Sequence, residues 1–111
     1  MSEIKFKYIG WCSEEGHDKV WTSFRVENTW YCAWGRRGKR LLFKNHGKAS
    51  TYNPDYNQKL EKLRADKEKG KSDGSSRYKE VDSFLLFTVF PDFQEQVEKE
   101  LFMATLGDKI K

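Results

Sequence analysis

The chain lacks several features that identify common classes of protein. Its longest apolar stretch, residues 84–90, is interrupted by Thr88 and is far below the roughly 20 residues that span a bilayer, so no membrane span is predicted. No apolar segment follows residues 1–5, so no signal peptide is expected. The 2 cysteines are too few for a secreted disulfide framework, which favours a reducing cytoplasmic setting.

Motifs for common catalytic and cofactor chemistry are also missing. The segment 35–38 has no GK[ST] ending, so it is not a phosphate-cradling Walker motif, and no nucleophile elbow is present. The spacing of the cysteines and histidines does not predict a zinc site; these residues are Cys12, His17, Cys32 and His46. We therefore expect no catalytic residue, no metal and no cofactor, and a protein that is not an enzyme.

What the chain does contain is enough apolar material for one domain. Its 111 residues include 8 Phe, 5 Tyr and 4 Trp, and a chain with so many aromatic residues is not typical of disorder. A chain of this length can bury a working core without disulfides or metals. One folded domain is the expectation.

The charges are segregated along the chain. The net charge is +4, but residues 30–54 carry six basic and no acidic side chains, whereas residues 80–111 carry three basic and seven acidic ones. Such segregation produces a local field even when the net charge is modest. A positive patch favours phosphate-bearing partners, although a merely solvated, Lys-rich surface has the same composition.

The first half of the chain predicts antiparallel strands. A period of two marks a half-buried strand at the start, with apolar side chains at Ile4, Phe6 and Tyr8. Residues 20–27 and 30–34 are rich in β-branched and aromatic residues, and Asn28-Thr29 between them predicts a tight turn. Residues 39–44 predict a further strand that ends at residues 45–48, and residues 77–81 predict a short one.

A turn at Asn28-Thr29 pairs Glu27 with Trp30 and sorts the hairpin onto two faces. One face is small and apolar, which predicts a core; it holds Val20, Thr22, Phe24, Val26, Tyr31, Ala33 and Gly35. The other face holds tryptophans and arginines, namely Trp21, Trp30, Trp34, Arg25 and Arg36. A register slip of one residue would exchange these sets on one strand.

Two helices are predicted in the second half. The first has Asn53 as N-cap and ends at Gly70, with apolar positions at Tyr56, Leu60 and Leu63. The second begins at Pro91-Asp92 and ends at Gly107, with an apolar stripe at Phe93, Val97, Leu101 and Ala104. Residues 83–90 between them fit a strand or a helix, and their length and Val/Phe content favour a strand.

The most informative string is Trp34-Gly35-Arg36-Arg37-Gly38-Lys39, which places an aromatic ring, a glycine and two guanidinium groups together. Here the chain resembles the WGR domain family. Residues 5–8 and 18–21 are similar to the opening hairpin of that family, residues 26–38 to its central hairpin, and residues 54–69 and 77–81 to its Lys-rich helix and its ending. The resemblance covers residues 3–81 as a WGR-like domain and leaves residues 82–111 as a C-terminal extension, expected to pack on the same domain.

The resemblance implies a compact mixed sheet with a helix packed on it. In the poly(ADP-ribose) polymerases this domain binds DNA near strand breaks, with the motif Trp against sugar and phosphate and the motif Arg making polar contacts around it. By resemblance, Trp34 and Arg36 take those positions. The fold class expected is therefore α+β, a single domain with an antiparallel or mixed β-sheet, one packed helix and a C-terminal helix.

The residues alone favour the same function. An indole can stack on a base or sugar, and arginine binds phosphate at two points. The predicted nucleic-acid-binding residues are Trp34, Arg36, Arg37, Lys39, Arg40, Lys44 and Lys48. Six phosphate contacts would give a log–log salt slope of about −5 on duplex DNA. We expect backbone binding with little sequence specificity, to DNA more than to RNA, in the cytoplasm and at the nucleoid if the partner is DNA.

Two alternatives remain open. The chain could be a protein–protein interaction or accessory domain whose Trp/Arg cluster is structural, with residues 83–90 and the acidic C-terminal helix as its contact surface. The acidic helix could also lie against the basic patch and mask it. The first alternative predicts oligomerisation or capture of a protein partner that survives high salt.

Overall fold

The chain forms one antiparallel sheet with helices on both faces. The computed structural model describes residues 3–14 and 16–106. The elements in chain order are β1 (Ile4–Cys12), β2 (Lys19–Val26), β3 (Thr29–Arg36), β4 (Leu42–Lys48), α1 (Gln58–Lys69), β5 (Lys79–Glu80), α2 (Ser83–Val89) and α3 (Phe93–Leu106). The strand order is β4-β3-β2-β1-β5, and every neighbouring pair is antiparallel. This is the single α+β domain that the sequence predicts.

Because helices cover both faces, the sheet has an apolar cluster on each side. The first cluster packs beneath α2 and α3 and contains Ile4, Ile9, Val20, Phe24, Ala33, Leu41, Phe43, Val81, Phe90, Phe93, Val97 and Leu101. The second cluster packs beneath α1 and contains Tyr8, Cys12, Trp21, Trp30, Cys32, Leu60 and Tyr78. The predicted core on the small apolar face is confirmed. The aromatic face is a second core, since Trp21 and Trp30 are each 2% exposed.

The β2–β3 hairpin has the predicted faces but a different register. Its turn is Glu27-Asn28, and Val26 pairs with Thr29, so the predicted turn at Asn28-Thr29 is wrong. Moving a two-residue turn by one position changes the pairing by two residues, and every side chain keeps its face. Trp21 consequently pairs with Trp34, on the side of the second cluster.

A bulge divides β1 between the two clusters. Its register against β2 shifts between Phe6 and Tyr8. Ile4 and Phe6 pack with the first cluster, whereas Tyr8 belongs to the second. The prediction that these three side chains share one face is therefore wrong for Tyr8, because an extra residue in a strand reverses the alternation beyond it.

β4 begins at Leu42, three residues later than the sequence predicts, and residues 45–48 continue the strand instead of ending it. It lies at one end of the strand order, so its outer edge pairs with no other strand in the described part of the chain. β4 therefore presents one backbone edge to solvent beside the β3–β4 turn.

Helix α1 begins one turn later than predicted. Residues 53–56 form a turn, in which Tyr56 N–H donates to Asn53 O at 3.3 Å. The N-cap is Asn57, whose side-chain oxygen accepts from Leu60 N–H at 2.9 Å. The helix ends at Gly70 as predicted, where a φ of 77° favours glycine.

Residues 83–89 form helix α2, so the predicted strand is wrong. Asp82 is its N-cap and accepts from Leu85 N–H at 2.8 Å. The predicted C-terminal helix is present as α3, while its predicted end at Gly107 lies outside the described residues. Within residues 3–14 and 16–106, no helix has the length and apolar character to cross a bilayer.

Candidate nucleic-acid interface

Five exposed cations follow the end of β3, the β3–β4 turn and β4. We call them the basic strip, which consists of Arg36, Lys39, Arg40, Lys44 and Lys48. None of the five forms an ion pair with a carboxylate in the part of the chain that the structure describes. Their charges are therefore available to an anionic partner.

Strand pairing places part of the basic strip on the side of the sheet that α1 covers. Lys44 lies opposite Cys32, and Cys32 belongs to the second cluster. Directly opposed residues on neighbouring strands point to the same face. Lys44 is thus on the α1 side, and it shares that face with Trp34, which lies opposite Leu42.

Cys32 and His46 form a packed pair on this face. Cys32 Sγ lies 3.2 Å from His46 Nε2. Burial raises the pKa of Cys32 to about 11, and burial, followed by the charges of Lys44 and Lys59, lowers the pKa of His46. A thiol with a raised pKa is a poor nucleophile. Among the described residues, no group of three or more His, Cys, Asp or Glu side chains could hold a metal ion.

Trp34 lies at the rim of the second cluster. It is half-buried, and it packs against that cluster from the end of β3. Its cross-strand neighbours are Trp21 on β2 and Leu42 on β4. The indole therefore contributes to the core with one part and remains accessible with another, and the accessible part can contact a sugar or a base.

Gly35 has a backbone reason for its place between Trp34 and Arg36. Its φ is 154°, and a Cβ there would lie 3.1 Å from Arg40 O and 3.3 Å from Leu41 Cδ2. The end of β3 and the start of β4 approach closely at this point. A glycine at the centre of the motif lets residues 37–41, which connect β3 to β4 and which we call the basic turn, fold back onto the strand.

Arg37 is separated from the other predicted site residues. Its Nε donates to Asp18 Oδ1 at 2.9 Å, and its Nη2 donates to Asp18 Oδ2 at 2.8 Å. Its guanidinium carbon lies 5.8 Å from the Trp11 ring centroid and 5.9 Å from that of Phe90, and both rings belong to the side of the first cluster. The structure therefore does not bring Arg37 to the basic strip, and Asp18 compensates its charge.

Asp18 is held by two kinds of donor. Besides Arg37, Trp11 Nε1–H donates to its Oδ1 at 2.8 Å. These bonds, that from Arg37 first, lower the pKa of Asp18. The same ion pair raises the pKa of Arg37. Arg37 thus connects the basic turn to the β1–β2 end of the sheet.

Helix α3 contacts the backbone of the basic turn. Gln96 Nε2 donates to Lys39 O at 2.8 Å, and Leu41 N–H donates to Glu100 Oε1 at 2.7 Å. The acidic helix does lie against this turn, as one of the alternatives anticipated. It binds main-chain atoms, however, and the side chains of Arg36, Lys39 and Arg40 remain exposed.

Helix α1 adds cations that the sequence did not single out. Its Glu61 and Glu68 both pair with Arg64, at 3.3 Å and 2.5 Å. Lys59 and Lys62 have no such partner in the described residues, and both line a cleft with Lys48. In the sequence they look like ordinary solvated helix positions. Their relation to β4 follows only from the tertiary contact between α1 and the sheet.

Comparisons with protein families, with curated proteins and with solved structures give no match. The resemblance to the WGR family therefore stays a prediction that depends on the residues quoted above.

Proposed function

We propose that the protein is a non-catalytic module that binds the backbone of nucleic acid, DNA in preference to RNA, with little sequence specificity. The observation that carries the proposal is the basic strip, five exposed cations that no carboxylate of the described residues neutralises. Membership of the WGR family belongs to the same proposal, as does a cytoplasmic location, at the nucleoid if the partner is DNA.

The roles of the residues follow from their chemistry. Arg36 offers a two-pronged contact to one phosphate, whereas lysines act as point charges. Lys44 and Lys48 both lie on β4, four residues apart, so they can contact separate phosphates of one backbone. The accessible part of Trp34 would pack on a sugar or base. Contacts of this kind hold the backbone and do not select bases.

A titration tests the proposal. Labelled single-stranded, duplex and nicked DNA, and a matched RNA, would be titrated with the protein at about 50 mM and about 200 mM salt. We expect binding at low salt that weakens steeply at high salt and is tighter for DNA. Lys44→Gln should weaken binding, whereas Lys99→Gln, which removes one exposed charge from α3, should not. Absence of binding to all four ligands at low salt would remove the proposal.

The second candidate function is a protein–protein interaction domain. Two observations favour it. Phe84 and Phe87, one turn apart on α2, are 73% and 80% exposed. Arg37 and part of Trp34 have structural contacts. If α2 is an interface between copies of this chain, the chain should oligomerise at high salt, and a Phe84→Ser/Phe87→Ser variant should be monomeric by light scattering. A wild-type chain that is monomeric at all concentrations would exclude this self-association.

A further inference from the structure

The loop between β4 and α1 exposes two tyrosine rings. Tyr52 is 97% exposed and Tyr56 is 47% exposed, and neither belongs to an apolar cluster of the described residues. A ring that lies almost wholly in solvent adds nothing to the core, so packing does not account for Tyr52. Tyrosine has a flat apolar face and few rotatable bonds, which suits it to contact with another flat group. The loop therefore presents two rings to a partner of the chain.

Hydrogen bonds inside the loop order the segment that carries the two rings. Ser50 Oγ accepts from Tyr52 N–H at 3.1 Å and from Asn53 N–H at 3.3 Å. Asn53 O accepts from Tyr56 N–H at 3.3 Å, and the ring of Pro54 fixes one backbone angle between them. An ordered loop loses less conformational entropy when a ligand binds. The rings are therefore positioned before a partner arrives.

The tyrosines adjoin the β4 end of the basic strip. Tyr52 follows Lys48 by four residues. Tyr56 lines an open cleft together with Lys48. Two further lysines of that cleft, Lys59 and Lys62, come from α1. Cations that can contact phosphates thus lie beside rings on which bases can stack.

The surface around the tyrosines is positively charged. Residues 44–62 carry four lysines and two acids, Asp55 and Glu61. Asp55 Oδ1 accepts from Arg25 Nη2 at 2.9 Å, and Glu61 Oε1 lies 3.3 Å from Arg64 Nε. Each acid therefore has an arginine partner. The charge of this surface favours an anionic partner that carries flat groups over an apolar protein surface.

An exposed ring can stack only on a base whose face is free. In a duplex the neighbouring bases cover both faces, and turning a base out of the helix costs free energy. An unpaired strand can present its bases without breaking base pairs. Aromatic rings beside a positively charged groove are the combination with which proteins bind single strands of any sequence.

We propose that Tyr52 and Tyr56 stack on the bases of an unpaired strand whose phosphates lie on the basic strip, so that the protein binds single-stranded DNA in preference to duplex DNA. This inference rests on the proposed function and narrows it. The basic strip attracts either form of DNA by its phosphates, and the tyrosines select the form with free bases. Because every base has a flat face, this selection requires no sequence preference.

A comparison of three labelled ligands tests the inference. Fluorescence anisotropy of the whole chain at about 50 mM salt would measure the affinity for a single strand of mixed sequence, for the same strand with stable abasic sites in place of its bases, and for the duplex. We expect the intact single strand to bind most tightly, and to bind about fivefold or more tighter than the abasic strand, since one stacked base contributes at least that factor. Equal affinity for the intact and abasic strands would overturn the inference.

Matched variants assign the stacking to the two rings. Tyr52→Ala/Tyr56→Ala should bind the intact strand about tenfold or more weakly, with little change for the abasic strand and the duplex. Tyr52→Phe/Tyr56→Phe keeps both rings and should keep the affinity. Phe102→Ala, which removes a ring 50% exposed on the acidic helix α3, should also keep it. Urea midpoints of all three variants verify that they are folded.

The outcomes separate this inference from the proposed function. An alanine variant that binds all three ligands as the wild type does, or loses affinity equally for all three, would show that the rings do not act on bases, and the inference would be overturned. Salt-sensitive binding of the duplex as tight as that of the single strand would leave the proposed function and overturn the preference. Absence of binding to every ligand would remove both.

Discussion

The two adjacent arginines of the motif are expected to contribute unequally to nucleic-acid binding. Arg36 is exposed and forms no ion pair in the described residues, whereas Arg37 is bound at two points by Asp18. A phosphate can recruit Arg36 at little cost. It can recruit Arg37 only by displacing a carboxylate. Arg36→Gln and Arg37→Gln remove the same charge from neighbouring positions, so they form a matched pair.

The magnitude follows from the number of free cations. Five phosphate contacts by the basic strip give a log–log slope of about −4.5 on duplex DNA, against about −5.4 when Arg37 is counted as a sixth. Between about 50 mM and about 200 mM salt, a slope of −4.5 weakens binding about 500-fold. Arg36→Gln leaves four contacts, a slope of about −3.6 and a loss of about 150-fold over the same range.

Fluorescence anisotropy with a labelled duplex at five or more salt concentrations would measure the slopes. Arg37→Gln should keep the wild-type slope within error, although it should lower the unfolding midpoint because it removes the bond to Asp18. Urea unfolding of both variants verifies that each is folded under the assay conditions. If Arg37→Gln reduces the slope as much as Arg36→Gln does, the assignment of Arg37 to a structural ion pair is refuted.

Three further predictions concern stability. Gly70→Ala should lower the free energy of unfolding, measured in urea, far more than Gly38→Ala does. Both glycines have φ near 77°, which costs a side chain about 1–2 kcal/mol, but of the two only Gly70 has a backbone atom, Ser75 O, within 2.4 Å of where a Cβ would lie. Equal losses of stability in the two variants would contradict this. Folding lowers the pKa of Asp18, so its contribution to the free energy of unfolding is present above its unfolded pKa of about 3.9 and is lost as pH falls through the folded pKa. Asp18→Asn should therefore lower stability at pH 7 and reduce the loss of stability at acid pH in a plot of urea midpoint against pH. An unchanged acid side of that plot would argue against this role. Glu100→Ala should speed exchange of the turn amide that it binds by about tenfold or more, since a hydrogen bond to a charged group contributes about 1.5–3 kcal/mol, and an unchanged hydrogen-exchange rate would refute that bond.

The alternation of apolar and polar residues was enough to predict which side chains of the β2–β3 hairpin lie on each face of the sheet. The two faces of β2 and β3 follow from alternation alone, and they survive an error of one position in the turn because the register changes by two. The sequence did not indicate that Glu27, with φ 54°, occupies the turn in place of Thr29. Nor did it predict that both faces are covered, because the second core depends on where α1 packs.

The sequence predictions were wrong at the start of two helices, where the capping residue decides the structure and composition does not. Residues 83–90 have the composition of a strand, yet Asp82 caps them into α2 and the first cluster takes one side of that helix. The sequence predicted Asn53 as the N-cap of α1, but the side chain of Asn57 accepts from Leu60 N–H, so the helix begins one turn later. For the candidate site, exposed cations were predictable, but the pairing of Arg37 with Asp18 is a contact between distant segments that spacing does not encode.

The unpaired edge of β4 gives the lysines of the basic strip a second expected role. An unpaired strand edge is a template onto which another chain can add, and lysines along it oppose such stacking by mutual repulsion. We therefore expect Lys44 and Lys48 to oppose self-assembly into extended sheets as well. Variants that neutralise both would remove that protection together with the charge, and a loss of solubility in them would report the second role.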